Sequence, residues 1–178
     1  VLVETADEPV TIDALRLRET HYPTAYVGRF EASDARMAAV VPLALRALQT
    51  GSHEAFIDSP YYEQIQYVGD TRLESLTTFA LQADARLPRK AVDLIDASRD
   101  PVLGLAQSRY PSRVTQFTWG YSLWWCCMVH DHLMWRGDER FVRARLPGVR
   151  AALDAAERSL NRDGLVVLPH RSNYEFVD

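Results

Sequence analysis

Three carboxylates stand close together in the segment DSPYYEQIQYVGDTR, residues 58–72: Asp58, Glu63 and Asp70. The same segment holds Tyr61, Tyr62 and Tyr67, and its one cation is Arg72 at the far end. Acids gathered with so little positive charge suit an uncharged, hydroxyl-rich substrate. Charged oxygens accept hydrogen bonds from vicinal hydroxyls more strongly than neutral ones do. Tyrosine adds a flat apolar face for the C–H side of a sugar ring, with a polar tip. Glu63, between two other acids and among tyrosines, is expected to keep its proton to higher pH than usual, since burial and like charge both disfavour the ionised form. A carboxylic acid that stays protonated near neutral pH is what glycosidic cleavage needs, to protonate the departing oxygen. A plainer reading stands beside this one. Asp70 after Gly69 can cap a helix, Asp58 before Ser59-Pro60 fits a turn, and Glu63 can be an exposed loop acid.

The elements that must position these acids change character along the chain. Residues 1–31 are rich in Val, Thr and Tyr, with Pro9 and Pro23 as breaks. The pattern predicts short strands over 1–4, 14–20 and 25–31. Three such strands do not make a stable domain alone, so residues 1–31 read as the end of a β-domain and residues 32–178 as a separate helical domain. From residue 33, Met37, Val40, Val41, Ala44, Leu45 and Leu48 recur at helical spacing. Ser33 or Asp34 can cap this helix, Pro42 is expected to kink or break it, and Gly51 ends it. The acidic segment follows as a loop. Thr71 and Glu74 then form a capping-box pattern ahead of a second helix, and Pro88 opens a third. Residues 99–118 look irregular. A fourth helix is predicted over about 120–136, stopping at Gly137, and a fifth over about 139–159, with Pro147 as an early break. Helix after helix with alternating connections predicts a mainly α fold of antiparallel helical hairpins rather than a βαβ sheet.

Composition narrows the function classes. The chain has 178 residues, 47% apolar and 25% charged, with a formal net charge of −4. That balance offers no basic face for nucleic acid. The most apolar run, residues 119–135, is interrupted by His130, Asp131 and His132 and falls short of a membrane span. The opening VLVETADEPV does not read as a secretory leader. Cys126 and Cys127 are adjacent, which on a helix points them about 100° apart, so they read as small core residues. His130 and His132 do not share a helix face, and no zinc-type spacing of Cys and His occurs. No metal or cofactor is expected. A Gly-rich phosphate loop and a serine nucleophile elbow are both absent from the sequence.

The pattern Asp58-x-Pro60-x-x-Glu63-Gln64-Ile65-Gln66-Tyr67-x-Gly69-Asp70-Thr71-Arg72 resembles the signature of bacterial and fungal α-L-rhamnosidases. That family has a six-hairpin (α/α)6 catalytic barrel, and its stretch typically reads Asp-Cys-Pro-x-Arg-Glu-x-Leu-x-Tyr-x-Gly-Asp. More weakly, Trp119-Gly120 followed by a helix ending Arg136-Gly137-Asp138 resembles the family's Trp-bearing loop and helix. Residues 173–178, NYEFVD, resemble its Asn-Trp-x-Phe-x-Asp-Trp segment. The likeness covers roughly residues 25–178. It implies an inverting hydrolase of terminal α-L-rhamnose, with Glu63 as the general acid and Asp58 and Asp70 holding rhamnose hydroxyls. Tyr67, Trp119 and Tyr174 are the implied aromatic contacts.

Two departures bear on substrate fit: Ser59 stands for the usual Cys, and Tyr62 for the usual Arg, which removes a planar cation beside the acid. The family's base comes from a later hairpin. Glu175 does not match that position and is not assigned to it. About five helices are predicted where a closed barrel needs twelve. The expected partner is therefore the remainder of the catalytic domain, and the chain alone is expected to expose apolar helix surface such as the Trp124–Met128 region. The alternatives carried forward are a non-catalytic carbohydrate-binding fragment and a six-hairpin glycosidase of other sugar specificity.

Overall fold

The computed structural model describes residue 4, residues 10–167 and the backbone of residues 175–176. Its helices are α1 (Met37–Thr50), α2 (Val68–Leu81), α3 (Arg86–Ala97), α4 (Trp119–Arg136), α5 (Glu139–Arg143) and α6 (Leu146–Arg158). Two short strands, β1 (Gln116–Phe117) and β2 (Glu175–Phe176), pair in parallel.

Contacts along α2 and α4 show that they run side by side in the same direction. Gly69 lies against the Tyr121 ring, Arg72 stacks on Trp124, and Phe79 stacks on Trp135. α3 and α6 run the opposite way and form the second layer. The Trp125 indole donates to the Val92 carbonyl of α3 at 3.1 Å. Trp119 and Trp125 meet Ala155 and Gly148 of α6 in reverse order. Antiparallel helices in two layers are the hairpin architecture read from the sequence. They bring the N-termini of α2 and α4 to one end, where the acidic segment enters.

The core lies between the layers. Phe56, Val68, Ile95 and Trp125 are sealed in it, with Ala91, Val92, Met128 and Phe141. The Trp124–Met128 region is thus mostly interior, and only Trp124 keeps substantial exposure, at 39%. Gly137, at φ 65°, ends α4 in the left-handed conformation that glycine favours. Asp138 then caps α5 by accepting from the Phe141 N–H at 3.0 Å. Gly148 brings α6 close to α4: a Cβ there would lie 2.8 Å from the buried Trp125 ring. Gly148→Ala is expected to destabilise the fold by about 1–2 kcal/mol, overpacking outweighing the better helix propensity of alanine. A urea unfolding midpoint checks this.

Several expectations are corrected. Residues 14–20 and 25–31 form no strand. Instead the Tyr22 N–H donates to the Ser52 carbonyl at 2.7 Å, and the Val27 and Gly28 N–H groups donate to the Leu81 carbonyl at 2.9 and 3.0 Å. The segment is tied to helix ends, and Tyr22 and Tyr26 pack on the helical core. The strand expected over 1–4 lies outside the described residues apart from residue 4. Pro42 sits inside α1 without breaking it, in a helix that is largely exposed and buries only Leu48. α2 starts at Val68, three residues ahead of the Thr71 capping pattern, and Thr71 is buried within it.

Candidate active site

The acidic segment is held at both ends. The Asp58 N–H donates to the Ile65 carbonyl at 3.1 Å, closing the loop on itself. The Glu63 N–H donates to Ser59 Oγ at 3.1 Å, so the residue standing for the usual Cys shapes the turn before the acid. Further on, residues 66–68 pair with residues 108–110. The Val68 N–H donates to the Ser108 carbonyl and the Tyr110 N–H to the Gln66 carbonyl, each at 3.0 Å. The buried Gln66 adds its side-chain amide, donating to the Tyr110 carbonyl at 2.8 Å. Loop and irregular segment thereby form one platform in front of α2.

On that platform Asp58, Glu63 and Asp70 come together, with Asp58 in the middle. The Asp58 carboxylate lies within hydrogen-bonding reach of both other acids. Glu63 is pushed above the usual carboxylate range, first by its hydrogen bond to Asp58 and the charge there, then by burial and by Asp70. Asp70, in the first turn of α2, is pushed up by burial and then by Asp58. The raised Glu63 agrees with the reading from sequence, and so does the part of its cause that lies in the neighbouring acids; the tyrosine cover does not. Tyr61 and Tyr62 are 77% and 88% exposed and pack edge-on against each other with ring centroids 4.5 Å apart. They leave Glu63 exposed. The hydrogen bond to Asp58 and the charge there, rather than a tyrosine cover, do most to push Glu63 up.

Tyr67 sits at the N-terminal boundary of α2, and its hydroxyl accepts from Arg109 Nη1 at 3.0 Å. Trp119 is the first residue of α4 rather than a loop residue. It is buried in a smaller apolar cluster with Leu105, Phe117 and Ala155, which makes it a packing residue in this structure. Tyr174 lies outside the described residues. His132 is a core residue 4.7 Å from the Phe141 ring, and burial lowers its proton affinity. Asp131 pairs with Arg72 at 2.7 Å. A separate cleft of about 440 Å³, lined by residues including His21, Tyr22, His53 and Lys90, includes none of the expected site residues.

Three residues near the acids were not read from the sequence. Tyr121 of α4 has its phenol pushed up by burial and by the charges of Asp70 and Asp58. Glu74, one turn along α2 from Asp70, is pushed up to about 8 by burial, then by Asp70 and Asp58. Arg109 is close enough for its charge to draw Glu63 downward, against the aspartates. None has a local signal: each reaches the site through contacts between distant segments, or through the exact place where α2 begins.

The parallel pair α2 and α4 is thus backed by an antiparallel layer, with the acids at its entry. A sequence model described as the bacterial alpha-L-rhamnosidase six-hairpin glycosidase domain matches residues 25–178. The chain belongs to that family. Among solved structures, it is similar to a GH78 family rhamnosidase of Bacillus sp. GL1, with a TM-score of 0.77 and 23% identity. That match covers 89% of this chain and 16% of the other. It is also similar to a rhamnosidase from Klebsiella oxytoca with rhamnose bound, with a TM-score of 0.70 and 23% identity, covering 80% of this chain and 29% of the other. The chain thus spans less than a third of the length of either. No curated protein matches it.

Proposed function

We propose that this chain carries the acid half of the active site of an inverting glycoside hydrolase acting on terminal α-L-rhamnose. The observation that carries the reading is the central Asp58, within reach of both Glu63 and Asp70. Glu63 gives its proton to the departing glycosidic oxygen. Asp58 and Asp70 accept hydrogen bonds from sugar hydroxyls, and Tyr67 offers its ring to the sugar. A water attacks the anomeric carbon from the opposite face and loses its proton to a second carboxylate about 6.5–9.5 Å from the acid. That base belongs to the remainder of the catalytic domain, outside this chain. The short span of the chain relative to the two solved rhamnosidases supports this division. After turnover Glu63 is ionised and regains its proton from solvent.

The test is an assay of the full-length protein on a panel of aryl glycosides, with the first-formed sugar followed by proton NMR. Hydrolysis of the α-L-rhamnoside with β-rhamnose appearing first is expected. Rhamnose binding without hydrolysis of any glycoside would replace the reading with that of a carbohydrate-binding fragment. Preferential hydrolysis of another glycoside would move it to a different sugar.

A further inference from the structure

The acid segment leaves a charge imbalance that its own residues do not correct. Its only cation, Arg72, turns away: its Nε donates to Asp131 at 2.7 Å, and its guanidinium lies 4.5 Å from the Trp124 ring centre. Tyr62, beside the acid, is uncharged and exposed. The cation that does reach the platform comes from the irregular segment after α3. Residues 67 and 109 face each other in an antiparallel bridge. Arg109 Nη1 donates to the Tyr67 hydroxyl at 3.0 Å, and its guanidinium lies 5.7 Å from the Tyr67 ring centre. Its Nε is sealed from solvent and has no partner among the described residues.

We propose that Arg109 is a positioning residue of this site, supplying from another segment the cation that the acid loop lacks, clamping Tyr67 and facing Glu63. The inference rests on the proposed role of Glu63 as the acid. The groups facing Glu63 are Asp58 from the loop, Asp70 from α2, Tyr121 from α4 and Arg109 from the irregular segment. The two aspartates push its proton affinity up, and Arg109 draws it down. Arg109 therefore offsets part of what the aspartates do to the strength of the acid. The backbone bridge fixes where the guanidinium can stand, so one residue sets both the Tyr67 ring and the charge seen by Glu63.

The test compares Arg109→Lys, which keeps the charge but loses the planar fork, with Arg109→Gln, which keeps a donor but loses the charge. Arg109→Met is the second neutral variant should the glutamine not fold. Two readouts are taken on the full-length protein: the alkaline limb of kcat/KM, and the ¹³C NMR titration of the Glu63 carboxyl, assigned by its loss in Glu63→Gln. The neutral variants are expected to move both titrations upward by about half a pH unit or more, and to lower kcat/KM roughly tenfold or more. The lysine variant is expected to leave both titrations near the parent's while recovering only part of the rate. A rate loss with both titrations unmoved in the neutral variants would overturn the proposal. The carboxyl titration needs no turnover. An upward move in a protein that hydrolyses no glycoside would therefore count against the proposed function and not against Arg109.

Discussion

Glu63→Gln in the full-length protein should leave rhamnose affinity within about threefold and lower kcat by about 10²–10⁴-fold, the usual contribution of a positioned acid. The amide keeps the shape and a donor, so the hydrogen bond toward Asp58 survives in form. What it loses is a proton that can be given away. In the proposed reading sugar binding rests on Asp58, Asp70 and Tyr67, which the substitution leaves in place. Because Asp58 is the first cause of the raised proton affinity of Glu63, Asp58→Asn should also lower that affinity and pull the alkaline limb of kcat/KM to lower pH. Rhamnose titration by calorimetry beside steady-state rates separates the two effects. A Glu63→Gln enzyme that loses affinity and keeps kcat would assign Glu63 to binding.

The second large effect concerns Glu74. Its Oε2 is sealed from solvent with no partner among the described residues, while its Oε1 lies 3.1 Å from where a Gly51 Cβ would be. Gly51 has an ordinary φ of −86°, so what glycine contributes there is the space it leaves beside Glu74 and not its backbone freedom. Burial, with Asp70 and Asp58 nearby, pushes Glu74 up to about 8. The folded state therefore holds this proton more tightly than the unfolded chain does. The stability linked to that proton is fully present below the ordinary glutamate range near 4.5 and is lost as pH rises toward 8. Glu74→Gln cannot ionise and removes that slope. Its stability advantage over the parent should grow by about 2–4 kcal/mol between pH 4 and pH 8. This follows from roughly 1.4 kcal/mol for each tenfold difference in proton affinity between the folded and unfolded chain, discounted for partial solvent access. Urea midpoints at pH 4, 6 and 8 check this; parallel curves for parent and variant would contradict it.

Much of this was legible in the sequence, for local reasons. Apolar spacing and the stop at Gly137 located α4 to within a residue, because helix periodicity and a left-handed cap are local properties. The grouping of Asp58, Glu63 and Asp70 was legible too, because one short stretch, a loop and the first turn of α2, carries all three. The errors came where a segment's fate is decided by distant partners. Val, Thr and Tyr in residues 14–31 favour strands, but Tyr22, Val27 and Gly28 find their hydrogen-bond partners at Ser52 and Leu81 instead. Glu74 looked like half of a capping box, yet α2 opens at Val68 and carries it into the interior. Arg109 and Tyr121 gave no sign at all, since only the pairing of 66–68 with 108–110 and the parallel course of α2 and α4 bring them to the acids.

The most direct measurement is a series of aryl α-L-rhamnosides with leaving groups of graded acidity, run on the full-length protein and on Glu63→Gln. With a proton donor in place, the parent rate should depend weakly on the leaving group, whereas the variant should fall steeply as the leaving group worsens and approach the parent only on the most activated substrates. A variant that follows the parent across the whole series, offset by a constant factor or by none, would mean that the departing oxygen takes its proton from somewhere other than Glu63.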